Sequence, residues 1–163
     1  MNKVVLVTGG SRGIGRAISL AFAKSEYDIV INYKERDTSA LELKREIEDK
    51  YSSRVLLVKA DVSSEEQVKN MVDKIIASYG KIDCLVNNAG IAIDKEFEDR
   101  TVIDFTKTLS TNLIGPFLVS KYVGSKMVEN RGVKSLTFLV RMGLTVFSQL
   151  VLTMMLPKQE LLI

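Results

Sequence analysis

The stretch that decides the fold is VVLVTGGSRGIG, residues 4–15. Its first four residues form a short continuous apolar run, which is typical of a strand buried on both faces. Apolar residues then recur with helical spacing from Gly13 to Lys24. Glycines between a strand and a helix permit a tight turn, let the backbone approach a pyrophosphate, and leave the free N–H groups of the helix to favour the anion. The stretch therefore predicts a nucleotide-binding loop.

Strand and helix patterns alternate along the rest of the chain. Apolar runs predict further strands at Ile29–Ile31, Arg54–Lys59, Ile82–Val86 and Ser135–Val140. Helical patterns follow at Thr38–Tyr51, at Ser63 to Tyr79 with Gly80 as its stop, and at Asp104–Val128 with a kink at Pro116. Short connections between alternating elements favour a parallel sheet with helices on both faces. The predicted fold class is α/β, a Rossmann-type doubly wound parallel sheet.

Composition excludes several classes of function. A net charge of +3 over 163 residues is too small to indicate a nucleic-acid partner. Histidine is absent, which excludes a histidine base and a histidine metal site, and no metal is expected. The single cysteine, Cys84, excludes a disulfide framework and is interpreted as a buried structural thiol. The chain enters its first strand without a charged-then-apolar leader, so a cytoplasmic protein is expected.

Four motifs carry a resemblance to the short-chain dehydrogenase/reductase family. Thr8-Gly9-x-x-x-Gly13-x-Gly15 has the family's glycine spacing, and Ala60-Asp61-Val62 ends the third predicted strand. The segment NNAG, residues 87–90, ends the fourth strand, and Asn112 matches the helix asparagine of the family's catalytic tetrad. The resemblance covers residues 1–132. The segments SRGIGRAI and DCLVNNAGI most resemble 3-oxoacyl-acyl-carrier-protein reductases, although many sugar and alcohol reductases share them.

The resemblance implies a nicotinamide dinucleotide cofactor and hydride transfer from it to a ketone. It implies an acyl-carrier-protein thioester or similar ketone as substrate and homo-oligomers among intact relatives. Asn112 would be the catalytic residue that holds a water in the proton relay. The implied cofactor-binding residues are Thr8, Gly9, Gly10, Ser11, Arg12, Gly13, Ile14, Gly15, Asn32, Tyr33, Lys34, Asp61, Val62, Asn88, Ala89 and Gly90.

The end of the second strand bears on the choice of cofactor. Family members that prefer NAD carry an acidic residue there to bind the ribose hydroxyls, whereas this chain has Asn32 and Tyr33. A 2′-phosphate would meet no negative charge at these two positions. Arg12 and Lys34, with Arg36 as a weaker candidate, offer charge-assisted hydrogen bonds to it. NADP(H) is therefore favoured over NAD(H).

The acid catalyst of the family is missing from its expected place. Family members use a serine after the fifth strand and a Tyr-x-x-x-Lys on the next helix for acid catalysis and oxyanion stabilisation. Here Tyr122 and Lys126 have that spacing, but they come only ten residues after Asn112 and before the fifth strand. They are interpreted as a helix surface pair. No tyrosine follows Tyr122 in the sequence.

Residues 133–163 do not continue the alternation of strand and helix patterns and form an atypical apolar tail. With a free choice of degenerate third bases, the stretch from Gly132 read in another frame can encode a strand, a serine and Y-D-A-S-K. Met142 followed by Gly143 forces a glycine in that reading, and Met154 followed by Met155 forces the aspartate after the tyrosine. We therefore hypothesise a nucleotide-binding domain over residues 1–132 that is incomplete on its C-terminal side, followed by an out-of-frame tail. A genuinely divergent tail is the alternative.

Three functions follow from these interpretations. The first is an NADP(H)-dependent reductase whose chemistry is impaired in this chain, and the second is a remnant that binds NADP(H) without turnover. The third is a membrane-associated interaction protein, since residues 136–156 are mostly apolar, but Arg141 and Gln149 within them disfavour a membrane span. Without its partner elements, the long helix is expected to expose Leu113, Phe117 and Val119, which favours aggregation.

Overall fold

The sheet has five parallel strands in a computed structural model that describes residues 2–129 and 136–138. The strands are β1 (Val4–Val7), β2 (Asp28–Tyr33), β3 (Val55–Lys59), β4 (Cys84–Asn87) and β5 (Leu136–Phe138). Their order across the sheet is β3-β2-β1-β4-β5, and every pair is parallel. The chain therefore first winds outward from β1 to β3 and then crosses back to β4 on the other side of β1. The predicted doubly wound α/β sheet is confirmed.

Helices connect the strands and cover both faces of the sheet. They are α1 (Gly13–Lys24), α2 (Asp37–Lys50), α3 (Glu65–Tyr79), α4 (Val102–Leu109) and α5 (Gly115–Glu129), with a π-helical segment at Ser110–Ile114 between the last two. Helix α3 begins at the Ser64 cap, whose hydroxyl accepts the N–H of Gln67, and ends at Gly80, as the sequence predicts.

The strands alternate between two apolar clusters because successive side chains point to opposite faces. Val4 and Leu6 of β1 belong to a cluster shared with α3 and α5. Val5 and Val7 belong to the cluster shared with α1 and α2. All four side chains are buried, which explains why the strand is a continuous apolar run.

The predicted single helix over Asp104–Val128 is wrong in its start and its continuity. Helix α4 begins at Val102 because Thr101 and Asp104 form a capping box, in which each side chain accepts the other residue's backbone N–H. The π-helical segment follows, with the Gly115 N–H donating to the Ser110 carbonyl. Pro116 is not the point of interruption, since it lies in the first turn of α5, where a missing N–H is tolerated.

The expected exposure of Val119 is also wrong. Val119 is fully buried in the cluster with α3, because α5 packs on that helix as well as on the sheet. Leu113 is half-buried, whereas Phe117 is exposed, so the expectation holds for Phe117. Burial here needs no partner subunit, since α3 of the same chain supplies the covering surface.

Strand β5 lies within the predicted strand Ser135–Val140, and Leu136 pairs with Leu85 of β4. Most of the apolar tail and the proposed frameshift lie outside the described residues. Among the helices that the structure describes, none has the length and apolar character to cross a bilayer.

Candidate nucleotide-binding site

The glycine-rich loop lies at the carboxyl end of β1, beside the point where the strand order reverses. Open α/β sheets bind ligands in the crevice at such a point. Gly9 and Gly13 have φ of +59° and +54°, in the left-handed region that disfavours other residues. The Gly10 N–H donates to the Asn32 carbonyl at 2.9 Å, which ties the loop to the end of β2. The loop is thus shaped by its backbone and held by its neighbour strand.

Gly15 lies where α1 comes closest to the strand ends. A Cβ at this position would lie 2.2 Å from the Gly9 carbonyl oxygen, 2.5 Å from Asn88 Nδ2 and 2.9 Å from Gly10 Cα. Any side chain would therefore push the helix away from the loop. The predicted role of Gly15 in close helix packing has this contact as its physical basis.

The N-terminus of α1 is open to an anion. Its N-cap residue, Arg12, has extended backbone and makes no capping hydrogen bond through its side chain. Arg12, Gly13 and Ile14 are exposed, whereas Ser11 is buried beneath them. The first N–H groups of a helix lack partners within the helix, and its dipole is positive at this end. This end of α1 therefore fits a phosphate group.

Thr8 and Asn88 join the two loops on either side of the crevice. The Thr8 hydroxyl accepts the backbone N–H groups of Asn88 and Ala89, both at 3.0 Å, and donates to the Val86 carbonyl at 3.4 Å. The Asn88 side-chain amide donates to the carbonyls of Thr8 at 2.9 Å and Gly9 at 3.0 Å. These polar groups are therefore already hydrogen-bonded within the protein. Thr8 and Asn88 thus shape the site, and Gly90, which is exposed, lies at its surface.

Asn32 connects the glycine loop to the end of β3 through its side chain. Its side chain is buried, its Oδ1 accepts the Gly9 N–H at 3.4 Å, and its Nδ2 donates to the carbonyls of Val58 and Ala60. The Tyr33 hydroxyl bonds to Asp37; burial and then this hydrogen bond raise the pKa of Tyr33. Neither residue places a carboxylate at the end of β2.

Lys34 and Asp61 contact one another across the ends of β2 and β3. Lys34 Nζ lies 2.6 Å from Asp61 Oδ2, and the Ser63 hydroxyl donates to Asp61 Oδ1 at 2.7 Å. Partial burial is the largest influence on Asp61 and opposes its ionisation, but the hydrogen bonds from Lys34 and Ser63 outweigh it and lower its pKa. The predicted phosphate ligand Lys34 therefore already has a carboxylate partner, a pairing that only the fold reveals.

A cavity of about 360 Å³ opens beside this ion pair. It is lined by Lys34 and Ser63 and by residues of α4 and the π-helical segment, namely Val102, Ile103, Thr106, Lys107, Ser110 and Thr111. The sequence motifs do not include these helical residues. The sequence gives one hint of their involvement, which is that Ser110 and Thr111 come directly before Asn112.

Asn112 is buried in the π-helical segment and is used structurally. Its Oδ1 accepts the Ile91 N–H and its Nδ2 donates to the Ile91 carbonyl, both at 2.8 Å. The side chain thus anchors the segment after NNAG to the helix. Val62 is buried against the start of α5, where a Cβ on Gly115 would lie 2.8 Å from it. Among the described residues, no group of three or more acidic or cysteine side chains is arranged to hold a metal ion.

Tyr122 and Lys126 both lie on α5. The Tyr122 hydroxyl donates to a carboxylate oxygen of Glu65 on α3, and Lys126 pairs with Glu129 at 3.0 Å. Their polar contacts lie on the helix surface, and the Tyr122 ring also packs partly against the apolar cluster shared with α3. Cys84 is buried, and this burial raises the pKa of its thiol.

The glycine loop, the open helix and the crevice at the carboxyl edge define a nucleotide-binding α/β protein. The model of the short chain dehydrogenase family matches residues 3–135. The chain belongs to this family, whose members bind a nicotinamide dinucleotide.

Curated relatives support the same assignment. The chain is 38% identical over 130 residues to an uncharacterized oxidoreductase of Thermotoga maritima, covering 80% of this chain and 50% of the relative. It is 35% identical over 131 residues to the 3-oxoacyl-[acyl-carrier-protein] reductase of Staphylococcus epidermidis, covering 80% and 53%. The chain thus spans about half the length of the curated relatives it matches.

Solved structures agree in fold. A short chain dehydrogenase from Bacillus anthracis superposes with a TM-score of 0.77 at 30% identity, covering 83% of this chain and 56% of that one. A short chain dehydrogenase from Burkholderia cenocepacia in complex with NADP superposes with a TM-score of 0.74 at 32% identity, covering 83% and 54%.

Proposed function

We propose that this chain binds NADP(H) and is the cofactor-binding part of an oxidoreductase of the 3-oxoacyl-acyl-carrier-protein reductase type. The observation that carries the proposal is the open N-terminus of α1 beneath a loop that has no room for a side chain at Gly15. The similarity to a 3-oxoacyl-[acyl-carrier-protein] reductase and to a dehydrogenase in complex with NADP supports it.

The proposed site has residues for each part of the cofactor. Backbone N–H groups of residues 13–15 would bind the pyrophosphate, and the segment of residues 88–90 would lie along the nicotinamide half. Asp61 and Val62 would contact the adenine, next to the cavity. When bound, the cofactor supplies a hydride for transfer to a substrate ketone. The protein's part is to hold it at the strand ends.

The charges of the side chains around the end of β2 support binding of NADP(H) rather than NAD(H). Asn32 is buried and neutral where an acid would bind ribose hydroxyls, and its amide is occupied by Gly9, Val58 and Ala60. The exposed Arg12 guanidinium makes no ion pair with any described residue and is free to bind a 2′-phosphate. We therefore propose NADP(H) as the preferred cofactor.

We propose that the chain as given binds the cofactor without useful turnover. Of the family's catalytic set, only Asn112 stands at a matching position, and its side chain is occupied by Ile91. The hydroxyl of Tyr122, the last tyrosine of the sequence, is hydrogen-bonded to Glu65 of α3. An acyl-carrier-protein substrate and a homo-oligomer belong to this proposal for the complete protein. The boundary near residue 132 and the out-of-frame tail are part of it as well.

Titration with NADPH and NADH, followed by nicotinamide fluorescence, tests cofactor binding. We expect NADPH to bind more tightly, and Arg12→Ala to weaken NADPH roughly tenfold while changing NADH little. Arg45→Ala, an exposed arginine on α2, is the matched control. If neither nucleotide binds at millimolar concentration, the proposal is wrong.

An assay of NADPH oxidation tests the proposed loss of catalysis, and sequencing of the gene tests the proposed frameshift. With NADPH and an acetoacetyl thioester, we expect no oxidation of NADPH above the background rate. Sequencing the codons for residues 130–163 is expected to show that one inserted or deleted base restores the long frame. Measurable turnover by the 163-residue chain would contradict the proposed impairment, and an intact frame with no such base would contradict the frameshift.

A further inference from the structure

One side of the helical run from the π-helical segment into α5 exposes apolar side chains. Ile114, Phe117 and Val128 are 46%, 44% and 65% exposed. At roughly 3.6 residues per turn these three positions lie on one side of the helix, and we name them the α5 stripe. A Cβ on Gly124, which lies on the same side, would meet no atom of another described element within 4 Å. Among the described residues, therefore, nothing packs over the middle of the stripe.

Lys121 adds a charge to this side of the helix, but that charge is directed toward α3. Its Nζ lies 3.2 Å from a carboxylate oxygen of Glu65 and 4.9 Å from the centre of the Tyr122 ring. The stripe therefore presents mainly apolar atoms. A row of exposed apolar side chains is typical of a surface that another segment covers.

The stripe begins at the edge of the sheet where β5 ends. Helix α5 starts at the carboxyl edge, because a Cβ on Gly115 would lie 2.8 Å from Val62, which follows β3. Strand β5 reaches the same edge, because it runs parallel to β4 and pairs Phe138 with Asn87 at the end of that strand. Residues 139–163 therefore start at the end of α5 where the stripe starts.

The length and composition of residues 139–163 suit the stripe. The stripe spans about 21 Å at a rise of 1.5 Å per residue, which this segment exceeds even as a helix. The segment contains no charged residue from Met142 to Leu156. Removing such an apolar run from water stabilises the folded chain. Because the segment is tethered at Phe138, its local concentration at the stripe of its own chain is high, which favours this contact over one with a second copy.

The side chain of Asn87 indicates the side of the sheet toward which this segment turns. It lies between β4 and α5, since its Nδ2 donates to the Ser120 hydroxyl at 3.0 Å. The side chain is buried, and its Oδ1 has no hydrogen-bond partner among the described residues. Buried acceptors are almost always paired. The residues directly after Phe138, the neighbour of Asn87 in β5, are placed to supply the donor on the α5 side.

We propose that residues 139–163 fold back along α5 and cover the α5 stripe. The stripe is thus an interaction surface whose occupant is the C-terminal segment of the same chain. Apolar side chains of the uncharged run would replace water over Phe117, and the Asn87 amide would anchor the start of the segment. This contact is independent of nucleotide binding.

Hydroxyl-radical footprinting of the full chain tests the proposal, at a concentration where sedimentation velocity shows a monomer. Phe97, which is 85% exposed before α4, is the reference because it has the same intrinsic reactivity as Phe117. An uncovered Phe117 would be oxidised at about half the rate of Phe97, in proportion to exposed fractions of 44% and 85%. We expect a rate below roughly a tenth of that of Phe97, because the segment covers the ring.

A double variant within the segment tests the occupant. Phe147→Asp with Val151→Asp places two carboxylates in the uncharged run, which disfavours its burial, and should raise the Phe117 rate roughly fivefold. Gln159→Asp with Leu161→Asp adds the same charge beyond the run and is the matched control, which should leave Phe117 protected. Circular dichroism and urea unfolding check that both double variants keep the fold.

The reciprocal change is made on the stripe. Phe117→Asp should release the segment and raise chymotrypsin cleavage after Phe147 roughly fivefold, since a released segment is open to proteolysis. Phe97→Asp adds the same charge outside the stripe and should leave this cleavage unchanged.

Three results would overturn the proposal while leaving the proposed nucleotide binding intact. The first is oxidation of Phe117 at about half the rate of Phe97 in the unmodified monomer. The second is protection of Phe117 that disappears on dilution, which would assign the stripe to a second copy of the chain. The third is protection that persists in the Phe147→Asp and Val151→Asp double variant, together with unchanged cleavage of Phe117→Asp.

Discussion

Gly15 is the residue on which the geometry of the nucleotide loop most depends. Its Cα hydrogen atoms occupy the space between α1, the Gly9 carbonyl and the Asn88 amide. Asn88 in turn is fixed by Thr8, so a displacement at Gly15 reaches the loop after β4. A single methyl group at this position therefore disturbs both sides of the crevice.

We expect Gly15→Ala to destabilise the fold by about 1–3 kcal/mol and to weaken NADPH binding. The added Cβ would lie 2.2 Å from a backbone carbonyl oxygen, so the helix itself must move. Urea unfolding and NADPH titration measure the two effects.

Gly124→Ala is the control for this change. A Cβ there meets no atom within 4 Å, and alanine favours a helix interior by roughly 0.5–1 kcal/mol. We expect it to be neutral or stabilising, with unchanged binding. Similar losses in both variants would show that the loss at Gly15 does not come from close packing against the loop.

At the scale of elements, the start of α4 is set by a single carboxylate. Asp104 receives the Thr101 N–H at 3.0 Å and the Lys95 ammonium at 2.8 Å, and its own N–H donates to the Thr101 hydroxyl. Hydrogen bonds from Lys95 and then from Thr101 lower the pKa of Asp104 to about 2. Because residues of α4 line the cavity, this cap also positions part of the cavity lining.

The capping box makes stability depend on pH. A carboxyl whose pKa is lowered on folding stabilises the folded state fully above its ordinary value near 4, and this contribution disappears as the pH falls toward about 2. We expect Asp104→Asn to lower the urea midpoint at neutral pH, and the gap to the unmodified protein to close between about pH 4 and pH 2. Urea titrations at several pH values measure this gap.

Asp73→Asn, an exposed acid on α3 outside the hydrogen bonds described, should change the midpoint little at any of these pH values. A gap for Asp104→Asn that is independent of pH would show that the carboxylate charge contributes nothing to the cap.

At the scale of the whole molecule, solvent-exposed apolar side chains are concentrated in and just before α4. Phe97, Val102, Ile103 and Phe105 are 85%, 81%, 77% and 65% exposed. Such concentrated exposure is uncommon on a monomer and favours association. The buried part of α5 does not contribute, since α3 covers Val119.

We expect the chain to associate in a concentration-dependent manner through this surface. The double variant Phe97→Ser and Phe105→Ser removes two of its most exposed rings without touching the cavity wall. Sedimentation velocity at several concentrations should show a shift toward monomer. Leu41→Ser, on the exposed face of α2, is the control and should leave association unchanged. Equal association of the double variant and the unmodified chain would assign the effect to another surface.

The sequence by itself determined the elements and the motif that begins the fold. Continuous apolar runs and helical spacing depend on neighbours along the chain, so β1, α1 and the glycine loop between them could be predicted locally. The family motifs likewise predict Asp61, Asn88 and Asn112 as site residues, and these assignments stay predictions. The kink predicted at Pro116 was misplaced: the interruption is the π-helical segment Ser110–Ile114, where Asn112 bonds to Ile91, 21 residues away in the sequence.

Only the tertiary structure decided which polar groups are free and which are occupied. Lys34 meets Asp61 because parallel strands end at the same edge of the sheet. Asn32 is turned inward to the loop, and Val119 is covered by α3. Residues from the end of β2 and from α4 line one cavity, which no local pattern predicts. These features depend on contacts between segments that are distant in sequence, and such contacts exist only once the chain has packed.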